Sequence, residues 1–243
     1  MTSNLPNKGA DIFATTHWTV VLTAGRKHTP QSDTALEQLC KTYWFPLYAY
    51  VRRRSHSKED AEDLTQAFFV KFLEKNYLEN LSNERGRFRA FLLASLKHFL
   101  GNEWDKSQRQ KRGGGAAHLS LDWQTADTQF QIAANVASPE KTFDREWAIA
   151  LLAKVIERLQ AEFESDHRAG QFEHLKIFLS AGKGAVSYSD AARNLGMEES
   201  AVRVAVHRLR KRYRQLLTEE VAQTLADPTQ VDEEMRALFS AFE

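Results

Sequence analysis

The chain of 243 residues carries 33 Lys and Arg against 32 Asp and Glu, a formal net charge of +1, with 42% hydrophobic and 27% charged residues. That length allows one large or two small domains with real cores, and the composition is that of an ordinary globular protein. No apolar run approaches the roughly 20 residues of a bilayer span, the start "MTSNLPNKGADIF" lacks a secretory pattern, and Cys40 stands alone, which excludes an internal disulfide. A cytoplasmic chain is expected, with Cys40 filling core space.

Strand signals reduce to "WTVVLT" at 18–23, which also reads as helix, whereas helical periodicity recurs along the chain. Leu36, Leu39, Cys40, Tyr43, Trp44, Leu47 and Tyr48 make a first apolar stripe, with Pro46 expected to kink or restart the helix. Ser57 is placed to cap the next helix, and Asp60 three residues on completes a capping box. That helix, "DAEDLTQAFF", sets Asp60, Glu62 and Asp63 against an apolar stripe of Ala61, Leu64, Phe68 and Phe72. A third helix is expected from about Arg87, with Phe88, Phe91, Leu92, Ser95, Leu96, Phe99 and Leu100 on one side.

This third element lies in a basic stretch: from Arg85 to Arg112 there are eight Lys or Arg and two Asp or Glu. Its phenylalanines read as core. Trp104 sits late in the helix among Lys106, Arg109, Lys111 and Arg112, as a stacking surface for an unpaired base would. Such stacking contributes roughly 1–3 kcal/mol and tolerates any base, so the element suits single-stranded or melted DNA.

Periodicity then stops over "KRGGGAAHLSLDWQTADTQFQIAANVASPE". The glycines lack the Lys-Ser/Thr ending of a phosphate loop, and the segment reads as a flexible linker. Helix resumes at Ser138-Pro139-Glu140, with a cap and a proline at the first helical position. Phe143, Trp147, Ala150, Leu151, Val155 and Leu159 form its stripe, and a further helix carries Phe172, Leu175, Phe178 and Leu179.

"SYSDAARNLGMEESAVRVAVHRLRKRYRQLL" has the framework of a helix-turn-helix. Ala192 is small enough for a tight crossing, Gly196 tolerates a positive φ in the turn, and Val202, Val206 and Leu209 anchor the second helix, with Ala191 and Leu195 on the first. Arg203, His207, Arg210, Lys211 and Arg214 face outward, as a helix in a major groove requires. The tail from Glu219 reverses the charge, with seven acidic residues against Arg236, and reads either as a capping helix or as a shield for the basic recognition helix.

The expected fold is all-α: two small helical domains at 10–112 and 139–226, a flexible linker at 113–138 and an acidic extension at 227–243. In order and spacing, "YWFPLYAYVRRRSHSKEDAEDLTQAFFVKFLEK", "RGRFRAFLLASLKHFL" and "YSDAARNLGMEESAVRVAVHRLRKRYRQLL" resemble the conserved stretches of sigma-70 family RNA polymerase sigma factors of the extracytoplasmic-function group. "ATTHWTVVL", "KRGGG" and "DPTQVDEEMRALF" resemble its long branch found in planctomycetes and related bacteria.

The resemblance implies a transcription initiation factor and not an enzyme, with no cofactor, metal or catalytic residue. Its partners would be core RNA polymerase, through the β′ clamp and the β flap, and promoter DNA, with room for an anti-sigma factor and no membrane. Asp60, Glu62, Asp63 and Gln66 match the clamp-docking motif; Arg89, Lys97, His98, Asn102, Lys106 and Arg109 lie on the −10 segment; Arg203, His207, Arg208 and Arg210 match the −35 recognition helix. The family pattern often has Asn and then Asp or Asn where His98 and Asn102 stand, and Ser-Arg where Val204-Ala205 stand, which bears on the promoter sequence read.

Two other readings fit parts of the chain. A helix-turn-helix regulator that never engages polymerase explains the second half but leaves the acidic helix without a purpose. A nucleic-acid enzyme holding Mg²⁺ on Glu59, Asp60, Glu62 and Asp63 is conceivable from the i,i+4 spacing of Glu59 and Asp63. It lacks an identifiable third ligand or nucleophile nearby, and the eight histidines are scattered.

Overall fold

The computed structural model describes residues 29–54, 57–74, 87–107, 128, 130, 138–180, 186–225 and 227–243. Every regular element among them is helical, as expected, and none is a strand. In chain order they are α1 (Pro30–Arg54), α2 (Lys58–Glu74), α3 (Phe88–Ser107), α4 (Pro139–Ser165), α5 (Ala169–Leu175), α6 (Ile177–Ser180), α7 (Tyr188–Leu195), α8 (Glu199–Gln223), a 3-10 turn (Pro228–Gln230) and α9 (Val231–Ser240). No helix among the described residues is long and apolar enough to cross a membrane.

The chain forms two compact units, Met1–Ala150 with Val221–Glu243, and Leu151–Glu220. This differs from the limits drawn from sequence, which began the second domain at 139 and set the extension apart. The opening turns of α4 and the C-terminal helix group with the first unit because their side chains are buried there. Phe143, Trp147 and Leu238 are each at most 2% exposed, and Arg89 of α3 lies 4.6 Å from the Trp147 ring centroid.

In the first unit, α1 runs unbroken through Pro46 and is not restarted by it. Its buried Tyr43 meets Phe88 of α3 edge-on at 5.5 Å, and Phe68 of α2 meets Phe99 of α3 at 5.7 Å. These aromatic contacts join the three stripes into one core, each pair adding about 0.5–1.5 kcal/mol beyond simple burial. The Ser57 cap forms as expected: its hydroxyl accepts the Asp60 N–H at 2.9 Å. Cys40 lines a small apolar recess with Leu39, Phe69, Phe72 and Leu92. Burial and the nearby Glu37 charge push its thiol up to about 11, which makes it a poor nucleophile.

Most of the expected linker lies outside the described residues, but two of its positions, Thr128 and Phe130, are helical. Phe130 is buried, with the Arg52 and Arg53 guanidinium groups each 5.3 Å from its ring centroid. Within the stretch expected to be a linker, this aromatic residue is thus held against two cations of α1.

In the second unit, the Phe163–Phe172 and Phe178–Tyr188 ring pairs, at 5.4 and 4.9 Å, hold α4, α5, α6 and the start of α7 together. The helix expected to carry Phe172 through Leu179 is split at Lys176 into α5 and α6. Buried charge is concentrated at Glu220, which pairs with Arg158 and has Lys154 Nζ at 3.8 Å. Burial pulls the Lys154 ammonium down to about 8 despite the Glu220 carboxylate beside it.

Candidate functional site

Three surfaces carry the residues that the sequence singles out. The first is the outer face of α2. Its apolar stripe turns inward with Ala61, Phe68, Phe69 and Phe72 buried. Helical geometry then leaves Glu59, Asp60 and Asp63 exposed on the opposite side. Glu62 is half-buried, with Lys58 Nζ at 3.7 Å. Gln66 departs from the expected surface: it is 5% exposed, because it lies three residues before Phe69 at the edge of the buried stripe. The exposed acidic patch is thus Glu59, Asp60 and Asp63, with Glu62 at its edge. Among the described residues no three His, Cys, Asp or Glu side chains converge as metal ligands.

The second surface is α3, whose two ends differ. At its start, Arg89 was expected to face DNA, but its side chain is 12% exposed and held from several sides. Its Nε donates to Glu234 Oε1 at 2.7 Å, Nη2 to Glu234 Oε2 at 3.2 Å, and Nη1 to Asp144. Burial alone would lower the Arg89 pKa, but the hydrogen bond and charge of Glu234, with the charge of Asp144, raise it overall. Asp144 is itself pushed up by burial, against the pull of Arg89. Its burial follows from location: position 89 is one residue past the buried Phe88 and faces α9 and the first turns of α4. Midway, Lys97 pairs with Glu140 at 2.8 Å at an exposed position.

Toward the C-terminal end α3 opens. His98, Gly101 and Asn102 are exposed, and Trp104 is 67% exposed. His98 and Asn102, four residues apart, stand side by side. Lys106 is within the helix, but its side chain, like the whole of Arg109, Lys111 and Arg112, lies outside the described residues.

The third surface is built by α7 and α8. Ser187 caps α7 by accepting the Asp190 N–H at 3.2 Å. Gly196 ends α7 at φ 61°, and the Met197 N–H returns to Ala192 O at 3.0 Å. A Cβ at Gly196 would meet nothing within 4 Å, so the requirement there is the left-handed backbone and not space. Ala191, Ala192, Val202, Val206 and Leu209 are buried, as the framework demanded.

The outward cations of α8 fall into two groups. Arg203 is engaged with Glu199 at 2.6 Å and lies 4.4 Å over the Tyr188 ring, and Arg210 donates to Phe178 O at 2.9 and 3.1 Å, closing the end of α6. His207, Arg208, Lys211 and Arg214 are exposed, and no hydrogen bond or ion pair engages their side chains among the described residues.

The sequence reading missed the carboxylates that close on Arg89. A signal was available: Val231, Glu234, Met235 and Leu238 share one face of α9 by spacing, which puts an acid inside an apolar stripe. A buried acid of that kind requires a cation.

Comparison with known families adds one finding: residues 41–110 match the family model of Sigma-70 region 2. The matched segment runs from late α1 through α2 and α3, and so includes the acidic face and the basic-aromatic helix. It supports a sigma-70 family sigma factor with a role in transcription initiation, which implies binding to core RNA polymerase and promoter DNA. Comparison with curated proteins and with solved structures gave no match.

Proposed function

We propose that the chain is a sigma factor of the extracytoplasmic-function group, of the long planctomycete-type branch, acting in the cytoplasm. The observation that carries this is the coincidence of the Sigma-70 region 2 match with a helix whose outer face is acidic and whose inner face is core. Carboxylates on a rigid helix repel DNA and suit a protein partner with basic helices. Asp60 and Asp63, with Glu62 at the edge, dock on the clamp of core polymerase.

The open end of α3 takes the separated −10 strand, with Trp104 stacking on a base and His98 and Asn102 hydrogen-bonding alongside it. The α7–α8 pair is read as a helix-turn-helix for the −35 element. Its exposed cations Arg208, Lys211 and Arg214, with His207, support that role. Arg203 is beside them, and Arg210 serves chiefly to hold α6. Val204, 50% exposed, offers an apolar contact near the start of the recognition helix instead of a charged one, which favours a thymine methyl over a guanine edge.

The test is association with purified core polymerase at low salt. Wild-type protein is expected to co-elute with core enzyme. Asp63→Arg, at an exposed position, is expected to lose at least tenfold in affinity while keeping its helical signal. Equal binding by the two proteins would remove α2 as the docking surface, and absence of wild-type binding would remove the sigma-factor reading.

A further inference from the structure

By sequence the acidic C-terminal segment reads either as a capping helix or as a shield for the recognition helix; in the structure its Glu233 and Glu234 meet the cations at the start of α3. Glu234, with a side chain 1% exposed, receives Arg89 Nε at 2.7 Å and Arg87 Nε at 2.9 Å. Glu233 receives Arg87 Nη2 at 2.8 Å. Both arginines belong to the basic approach to α3; Arg89 grips Glu234 in the forked geometry that a guanidinium also uses on a phosphodiester, and Arg87 spans Glu233 and Glu234. A carboxylate pair on these groups is therefore a direct competitor of nucleic acid for the same donors.

We propose that α9 is a built-in lock on the basic face of α3, occupying with Glu233 and Glu234 the arginines that promoter DNA takes when the lock opens. This rests on the reading of α3 as a DNA-contacting helix.

The two carboxylates divide the work. Glu234 is sealed and fixes the closed position, because separating a buried pair leaves an uncompensated charge. Glu233 is 64% exposed and Arg87 27% exposed, so this outer pair is reachable by a competing phosphate and is weakened by salt. Opening then proceeds from the outside: a phosphate displaces Glu233 from Arg87 first, and Arg89, which Asp144 of α4 also holds, loses Glu234 as α9 lifts. Beyond these carboxylates the buried apolar residue of α9 is Leu238, while Phe239 is about half exposed.

The test uses the full-length chain and a fluorescein-labelled oligo(dT) strand in an anisotropy titration at low salt. Glu233→Gln removes the outer contact, and Asp232→Asn removes the same charge from the same helix at an exposed side chain that pairs with no arginine among the described residues. Glu233→Gln is expected to bind about threefold more tightly than Asp232→Asn, and Glu233→Gln/Glu234→Gln more tightly still, in proportion to the phosphate contacts released. Should the double variant lose its helical signal, the two single variants decide, since both sites are exposed. Equal affinities for Glu233→Gln and Asp232→Asn, with the wild type binding DNA, would overturn the lock alone. No binding by any of the proteins would overturn the DNA reading of α3 and the lock with it.

Discussion

The basic helices α3 and α8 look alike in sequence and differ in what their cations are doing. On α3 the leading arginines are consumed by the protein itself: Arg87 and Arg89 are clasped by Glu233, Glu234 and Asp144. On α8 the later cations Arg208, Lys211 and Arg214 stand exposed without such partners among the described residues. A count of positive charge along the chain ranks the two stretches as equals. Availability to a polyanion depends on whether folding has already supplied a counter-charge, and that separates them.

The difference can be broken most sharply by removing one arginine from each helix. Arg89→Ala leaves Glu234 buried with Arg87 alone to offset it among the described residues, and is expected to destabilise the first unit by about 3 kcal/mol in chemical denaturation. Arg214→Ala is expected to change stability by less than about 0.5 kcal/mol, as an exposed side chain without a partner among the described residues does. Similar losses from both would mean that the clasp on Arg89 contributes little to folding.

Much of this fold was legible beforehand because caps and stripes are local. Ser57, Ser138 and Ser187 each accept an N–H three residues on, and Gly196 takes the positive φ that its place between α7 and α8 required. The apolar stripes predicted their buried faces for the same reason: helical spacing alone decides which side chains share a side. What was not legible was long-range charge pairing. Arg89 and Glu234 are 145 residues apart in the chain, and no local pattern says which acid an arginine will find. Gln66 was misjudged more narrowly, at the edge of a stripe where one residue's rotation decides between surface and core. Phe130 was hidden by its surroundings, one of two aromatics in a stretch that otherwise reads as tether.

On the DNA side, the comparison predicts a smaller, graded effect. If the exposed cations of α8 contact phosphates, Lys211→Ala lowers the slope of log affinity against log salt by about 0.9 for duplex DNA. Arg214→Ala is expected to do the same. A slope unchanged by either substitution would take that residue out of the phosphate-contacting set.

A pH-dependent effect concerns the buried charge inside the second unit. Lys154 has a folded pKa of about 8, depressed from 10.5 chiefly by burial. In the range between those values the unfolded chain holds the proton more tightly than the folded one, so stability attributable to this group rises as pH climbs from about 8 toward 10.5 and is lost as pH falls through 8. Lys154→Met removes the protonation cost, and its stability advantage over wild type, about 1–2 kcal/mol at pH 7, is expected to shrink over that window. A constant difference across the window would show that Lys154 is not desolvated in solution.

Transcription by purified core polymerase on fragmented genomic DNA, with start sites mapped in the presence and absence of the protein, bears most directly on the proposed role. A sigma factor produces discrete, reproducible starts that depend on its addition, and Asp63→Arg abolishes them. If added protein yields no starts beyond those of core enzyme alone while still binding DNA, the chain is a helix-turn-helix regulator and the acidic face of α2 has another partner.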